Sequence, residues 1–194
     1  RVNKIILNMQ SFVKNQEEEL SVISIEKVII DSIKFIKELN ILGNVTIEVD
    51  VKDDQLVLAN EIKIQQVIIN LIKNSIDALV NIKKPKIKIE VFCDLEEQYS
   101  CFKISDNGHG VNKESKEKLF DMFYTSKELG EGTGLGLSIS QKIIESFFGN
   151  IFLNDNENGA CFTIQLPFVE FSTFTKTNSY LSGQKEYEDP KVII

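Results

Sequence analysis

The sequence predicts an α/β fold, a two-layer sandwich in which helices cover one face of a mixed, largely antiparallel β-sheet. Two observations carry this prediction. Apolar residues recur at helical spacing over residues 24–39 and 61–80, whereas they alternate with polar residues in several short segments. These helical and extended segments do not follow one another in regular βαβ order, so a doubly wound parallel sheet is not expected.

The individual elements follow from the same patterns and from residues that favour helix ends. Helices are predicted over residues 1–19, 24–39, 61–80 and 136–148, and strands over residues 45–51, 55–59, 86–93, 99–105, 151–154 and 160–166. Ser24 and Asn60 are expected to cap the second and third helices, because their side-chain oxygens can accept hydrogen bonds from free N–H groups of the first turn. Pro167 is expected to end the last strand.

The chain divides into three expected segments. Residues 1–20 carry one apolar stripe that suits packing on another helix, and residues 21–167 form a single domain. Residues 168–194 lose this periodicity and are interpreted as a polar tail or linker. The chain starts at Arg1 rather than at Met, which suggests a fragment of a longer protein.

Composition argues against several classes of function. The net charge of −7 disfavours non-specific binding to nucleic acid. His109 is the only histidine and the three cysteines include no Cys-x-x-Cys pair, so a zinc site is not expected. An apolar run of ~18 residues is missing, so membrane attachment would come only from segments upstream. The odd number of cysteines favours a reduced compartment, the cytoplasm.

Three groups of residues suggest a nucleotide site, and the first lies on the predicted helix 61–80. Asn70, Asn74 and Asp77 share one face of this helix, because they are spaced at i, i+4 and i+7. Their amide and carboxylate oxygens suit Mg²⁺. A solvent-facing polar stripe explains the same spacing and stays open as the alternative.

The second and third groups are rich in glycine. Asp106-Asn107-Gly108-His109-Gly110 follows the predicted strand 99–105, and its carboxylate can accept a hydrogen bond from an exocyclic amine such as that of adenine. Residues 130–137 form a glycine-rich run directly before a helix, where free N–H groups and the helix dipole favour phosphate. A plain Asn-Gly turn and a mobile glycine loop are the respective alternatives. The run is neither a P-loop nor a Rossmann fingerprint.

Taken in order, the three groups resemble the N, G1 and G2 boxes of the histidine-kinase ATPase domain, whose superfamily also contains gyrase, the mismatch-repair ATPases and the large heat-shock chaperones. Residues 119–127 are similar to the F box and the following lid of sensor kinases, and residues 158–167 are similar to the closing strand of the same domain. The resemblance covers residues 45–167 in register and implies the Bergerat ATP-binding fold.

The resemblance implies a role for each matching position. Asn74 is expected to be the chief Mg²⁺ ligand with Asn70 in support, and Lys127 is expected to reach the γ-phosphate of ATP as a mobile cation. Asp106 is expected to accept the hydrogen bond from the adenine amine. The full set expected around ATP is Asp106, Gly108, Gly110, Gly132, Thr133, Gly134, Leu135, Gly136 and Thr163.

Two departures distinguish the branches of the superfamily. Hydrolysing members have Glu at the place of Asn70 as the base that activates water, and an amide takes up no proton usefully. Asp77 stands where many sensor kinases carry Lys, so Lys127 could supply the missing cation. Asn70 and the F-box-like segment together favour a sensor histidine kinase over an ATPase.

The phosphoacceptor is expected outside this sequence. His109 lies inside the G1 turn at a variable position, and no other histidine exists. The resemblance implies that residues 1–20 end a dimerisation helix and that the acceptor histidine lies on the helical domain of the same protein. It also implies a cognate response regulator and a homodimer. An ATPase of the gyrase or mismatch-repair type, an anti-sigma-factor-like serine kinase, and a binding module with a decayed site stay open as alternatives.

Overall fold

The computed structural model describes residues 19–53, 56–127, 132–156 and 158–169. Of the helix predicted over residues 1–19, only residue 19 is described. Residues 170–194, which make up nearly all of the predicted tail, also lie outside the described residues.

Seven strands and four helices occupy the described residues. In chain order they are β1 (Ser21–Ser24), α1 (Ile25–Glu38), β2 (Thr46–Val51), β3 (Leu56–Ala59), α2 (Glu61–Ala78), β4 (Lys86–Asp94), β5 (Tyr99–Asp106), α3 (Lys113–Lys116), α4 (Gly136–Ser146), β6 (Asn150–Leu153) and β7 (Cys161–Pro167).

A five-stranded sheet forms one layer, with the strand order β2-β4-β5-β7-β6. Strands β2 and β4 are parallel, and each of the other neighbouring pairs is antiparallel. The predicted fold class, a mixed and largely antiparallel sheet with helices, is therefore confirmed.

The core lies between one face of this sheet and the helices. Ile89 of β4 is paired with Ile104 of β5, and both are fully buried with Ile68 and Ile72 of α2. Side chains alternate between the faces of a strand, so the intervening residues, such as Lys88 and Lys103, lie on the opposite face. The helices and the functional groups that they carry thus lie on one side of the sheet.

Both predicted helix caps are confirmed. The hydroxyl of Ser24 accepts a hydrogen bond from the Lys27 N–H at 3.1 Å, and α1 begins at the next residue. The amide oxygen of Asn60 accepts one from the Lys63 N–H at 3.0 Å at the start of α2. Each cap satisfies one of the free donors in the first helical turn.

The structure adds two elements that were not predicted. Strand β1 is antiparallel to β3, with Ser21 opposite Ala59, so its partner is distant in sequence. Helix α3 has 4 residues, too few to show a helical period.

The prediction that Pro167 ends the last strand is confirmed, and one isolated bridge follows it. Strand β7 does end there, yet Phe168 forms a bridge to Val57, and the Val169 N–H donates to the Leu56 carbonyl at 3.0 Å. Proline removes only its own N–H group, so the next residues can still pair.

Candidate nucleotide site

Asp106 ends β5 at the edge of the core, where it is only 6% exposed. Its Oδ1 atom accepts hydrogen bonds from the Gly108 N–H at 2.9 Å and from the Ala160 N–H at 3.2 Å. Among the described residues, the hydrogen bonds recorded for this carboxylate all end on Oδ1. The second oxygen is therefore available to a donor on a ligand, while the first holds the group in one orientation.

Asn107 fixes the backbone of the same turn. Its side-chain oxygen accepts from the Lys86 N–H at 2.8 Å, and its amide nitrogen donates to the Lys84 carbonyl at 2.9 Å. The Asn107 side chain thereby joins the first residue of β4, Lys86, to the end of β5 at Asp106. This bond pair gives Asn107 a structural role in holding the turn that carries Asp106.

Gly159 reaches the site from the loop before β7, and sequence reasoning assigned it no role. Its φ is +72°, and a Cβ at this position would overlap the Asp106 carbonyl oxygen. Only glycine combines that backbone conformation with so close an approach. The signal in the sequence was the Asn158-Gly159 turn directly before the closing strand.

Gly108 and Gly110 lie on either side of His109 in the turn. A Cβ on Gly108 would meet the Ala78 carbonyl oxygen, which also accepts a hydrogen bond from the His109 N–H at 3.3 Å. A Cβ on Gly110 would lie 2.9 Å from the Gly159 carbonyl oxygen. The turn is therefore packed between the end of α2 and the loop before β7.

Asn70 faces the start of α4 from α2. The Asn70 amide nitrogen donates to the hydroxyl of Ser140 in α4 at 3.0 Å, and its oxygen lies where a Cβ on Gly136 would be. Asn74 is half-buried one turn further along α2. Two of the predicted site groups, the helix face and the glycine-rich run, are thus brought together. Ser140 was not predicted; it lies one turn after Gly136 in the sequence.

The glycine-rich run enters α4 without a side-chain cap. Leu135 occupies the cap position and makes no side-chain hydrogen bond to the first turn, while the Thr133 hydroxyl accepts from the Leu135 N–H at 3.4 Å. Gly134 is joined to the F-box-like segment, because its carbonyl accepts from the Phe123 N–H at 2.8 Å. Free N–H groups at the first turn of α4 suit an anion.

Lys127 forms a hydrogen bond and ion pair with Asp77 of α2. Its backbone N–H donates to the Thr125 hydroxyl at 3.2 Å, and a Cβ on Gly132 would lie 2.5 Å from that hydroxyl. The predicted lid cation therefore lies at the same face of α2 as Asn70 and Asn74. The pairing with Asp77 was not predicted.

Thr163 is not brought to this site. It is opposite Lys103 in the β5–β7 ladder, and its hydroxyl donates to the Asn154 side chain at 2.5 Å. Its neighbours Phe162 and Ile164 point into the core, and Asp106 lies on the same face of the sheet as they do. Alternation along the strand therefore places Thr163 on the other face. Ala160, whose N–H contacts Asp106, occupies the place expected for it.

The described residues show neither a cluster of metal-binding side chains nor a membrane-spanning helix. The described ranges hold no cluster of three or more His, Cys, Asp or Glu side chains arranged for a metal. Within those same ranges, no helix combines the length and apolar character needed to cross a bilayer. Asn70 and Asn74 offer amide oxygens, a ligand type that Mg²⁺ accepts together with water and phosphate.

Comparison with known proteins identifies the family of the chain. Residues 59–170 match the family described as histidine kinase-, DNA gyrase B-, and HSP90-like ATPase. Sporulation kinase B of Bacillus subtilis is 31% identical over 86% of this chain, which spans 38% of that protein. The chain therefore covers well under half of this relative.

Solved structures resemble this chain within the histidine kinase branch of the family. The catalytic domain of histidine kinase ThkA is 32% identical, with a TM-score of 0.67, over 77% of this chain and 95% of that one. ThkA in complex with response regulator protein TrrA matches with a TM-score of 0.68 and 27% identity, over 86% of this chain and 47% of that one. The chain belongs to the histidine kinase-, gyrase B- and HSP90-like ATPase family, as the ATP-binding catalytic domain of a histidine kinase.

Proposed function

We propose that this domain binds Mg-ATP between α2, α4 and the Asp106 turn, and that it transfers the γ-phosphoryl group to a histidine outside this sequence. The observation that carries the proposal is the buried Asp106 carboxylate, whose Oδ1 is held by two backbone N–H groups. Its Oδ2 would accept the hydrogen bond from the adenine amine. Gly108 and Gly110 let the turn pack against Ala78 and Gly159, and its backbone would lie beside the base.

Mg²⁺ would be held by Asn74, with Asn70 in support. The donor set fits this ion, because amide oxygens are hard ligands and Mg²⁺ keeps waters and substrate phosphates in its remaining positions. Asn70 already donates a hydrogen bond to Ser140 of α4. It would therefore hold α4 beside the metal site as well as contribute a ligand to the metal. When bound, the ion neutralises charge on the phosphates.

The phosphates would lie against the glycine-rich run. The backbone N–H groups of Gly132, Thr133, Gly134 and Gly136 would contact the phosphates at the start of α4, where no side chain caps the helix. Leu135, whose N–H donates to the Thr133 hydroxyl, would line the same position. These donors and the helix dipole stabilise negative charge without any covalent chemistry by the protein. Lys127 would add a cation near the γ-phosphate.

Transfer to an imidazole rather than to water is favoured by Asn70. A neutral amide cannot remove a proton from water, whereas a neutral histidine is a nucleophile that needs no such base. The only histidine of the chain, His109, is committed to the Asp106 turn, where its Nδ1 lies 2.9 Å from the Gly110 carbonyl oxygen. The acceptor therefore belongs to another domain or chain.

The relatives support a proposal for the rest of the protein. We propose that residues 1–20 end the dimerisation and phosphoacceptor helices, that residues 21–167 form the catalytic domain, and that residues 168–194 are a tail or linker. A response regulator would take the phosphoryl group, by analogy with the ThkA–TrrA complex. The full-length protein would act as a homodimer, with this domain in the cytoplasm, where ATP is available.

Titration calorimetry with a non-hydrolysable ATP analogue tests the proposal. Asp106→Asn replaces the free acceptor with an amide whose N–H₂ group opposes the adenine amine, so affinity should fall roughly tenfold or more, the range for hydrogen bonds to charged groups. Asp94→Asn is the matched control, because Asp94 also ends a strand and accepts a backbone N–H, at 3.2 Å from Glu97.

Further measurements distinguish the proposed function from the alternative functions. Asn74→Ala should remove most of the Mg²⁺ dependence of binding while leaving metal-free affinity unchanged. Steady ATP hydrolysis by the isolated chain would favour the gyrase-like alternative, and acid-stable label on an acceptor protein would favour a serine kinase. A wild-type chain that binds no nucleotide would refute the proposal.

A further inference from the structure

The ion pair between Lys127 and Asp77 is the feature of the site that the proposed function leaves unused. The ammonium contacts the carboxylate across a separation of 50 residues in the chain. The Lys127 side chain is 34% exposed and the Asp77 side chain is 55% exposed. An ion pair this exposed contributes little free energy, so an ion that interacts more strongly with one partner can displace the other.

The stem of Lys127 is held in place independently of Asp77. Its backbone N–H donates to the Thr125 hydroxyl at 3.2 Å, and its Cδ atom would lie 3.3 Å from a Cβ on Gly132. Gly132 is the first described residue of the glycine-rich run. The lysine stem therefore lies along the run that is proposed to cradle phosphate, whichever anion the ammonium contacts.

Asp77 places that ammonium close to the proposed metal and phosphate position. It follows Asn74 by three residues on α2, and residues at this spacing have Cβ atoms about 5–6 Å apart. Asn70 and Asn74, on the same face, are neutral amides. Asp77 is thus the one anionic member of the group of three, and it competes with any phosphate for the ammonium.

We propose that Asp77 is a specificity-determining residue that competes with the γ-phosphate of ATP for the Lys127 ammonium, and so reduces the preference for ATP over ADP. The inference rests on the proposed function. ATP ends in a γ-phosphate that can displace the carboxylate, whereas ADP lacks this group and leaves the ion pair intact. Asp77 therefore lowers the affinity for ATP without changing the affinity for ADP.

A double-mutant cycle measured by titration calorimetry tests the exchange, using a non-hydrolysable ATP analogue and ADP with Mg²⁺. Asp77→Asn should tighten binding of the ATP analogue roughly threefold to fivefold, the range of an exposed ion pair, and leave ADP within about twofold. Lys127→Met should weaken the analogue and spare ADP. In the Lys127→Met background, Asp77→Asn should have no further effect, since the two residues act on one contact.

Asp31→Asn is the matched control. It removes the same charge and breaks a lysine ion pair of 2.9 Å with Lys34 on α1, so it should leave both affinities unchanged. Equal tightening of ADP, or persistence of the Asp77→Asn effect without Lys127, would show a general charge effect and overturn the inference. If the wild type binds neither nucleotide, the proposed function fails. If it binds ATP and Asp77→Asn changes nothing, only this inference fails.

Discussion

The amide nitrogen of Asn70 donates to the hydroxyl of Ser140 at 3.0 Å, and this bond joins α2 to α4 across 70 residues of sequence. Ser140 is 1% exposed, so the bond forms out of contact with bulk water. It also fixes the Asn70 oxygen against Gly136, the first residue of α4. The proposed metal-binding face and the proposed phosphate-binding helix end are thereby held in one relative position.

Ser140→Ala is expected to weaken both stability and nucleotide binding. The change leaves the half-buried Asn70 amide without its partner, which should lower the free energy of unfolding by about 1–3 kcal/mol. Urea denaturation and calorimetry with an ATP analogue measure the two effects. Ser146→Ala is the control, because that residue is exposed and its hydroxyl bonds at 2.7 Å to the Ile143 carbonyl within α4. Equal effects of the two substitutions on nucleotide affinity would contradict the coupling.

Gly159→Ala is expected to disrupt the Asp106 turn. The added methyl group would overlap the Asp106 carbonyl and approach its Oδ1 to 2.7 Å, at a φ of +72°. We expect a loss of unfolding free energy of about 2 kcal/mol or more, since strain of the backbone alone contributes about 1–2 kcal/mol. Thermal unfolding, followed by circular dichroism, measures it.

Gly43→Ala separates strain from contact in that experiment. Gly43 has a φ of +58°, but nothing lies within 4 Å of a Cβ built there. It should therefore show the backbone strain without the collision. If Gly43→Ala destabilised the protein as much as Gly159→Ala, the packing against Asp106 would contribute nothing measurable.

Thr163→Val is expected to leave nucleotide affinity unchanged, although the sequence pointed to Thr163 as part of the adenine site. The hydroxyl bonds to Asn154 on the face of the sheet opposite to Asp106. Its loss should lower the free energy of unfolding by about 1 kcal/mol, because the Asn154 oxygen would keep only the weak donor of the Cys161 thiol at 3.7 Å. Calorimetry with an ATP analogue, alongside urea denaturation, tests both parts. A loss of affinity of tenfold or more would place Thr163 in the site after all.

Stability is expected to fall at alkaline pH because of Cys101. Burial raises the pKa of this thiol from 9.0 to about 11, and the nearby Asp94 carboxylate acts in the same direction. Between these values the unfolded chain loses the proton while the folded chain retains it. The free energy of unfolding should therefore decrease with pH in this window, by at most about 1.4 kcal/mol per pH unit from this group.

Urea denaturation at a series of pH values from 8 to 11 measures that slope, with Cys101→Ala as the comparison. Lysine and tyrosine side chains titrate in the same range in both proteins, so the difference between the slopes isolates Cys101. The variant should show the shallower decline. Parallel curves for the two proteins would mean that the Cys101 thiol does not resist ionisation in the folded state.

Local patterns were enough to predict most of the elements. The caps of Ser24 and Asn60 depend on residues within one turn, so sequence spacing determines them. The helix face of Asn70, Asn74 and Asp77 follows from helical period alone. Strand β1 could not be predicted in this way, because a segment of 4 residues shows little alternation and its partner β3 follows only after α1 and β2.

The candidate site likewise has features that the sequence predicted and contacts that it did not. The sequence by itself determined which residue types were available for a nucleotide, namely a carboxylate at a strand end, amides on a helix face and glycines before a helix. Tertiary structure alone decided that Ser140 meets Asn70, that Lys127 meets Asp77, and that Thr163 faces away from Asp106. Helix period and strand alternation are set by neighbouring residues, whereas these contacts depend on how α2, α4 and β7 pack on the sheet, which no local spacing encodes.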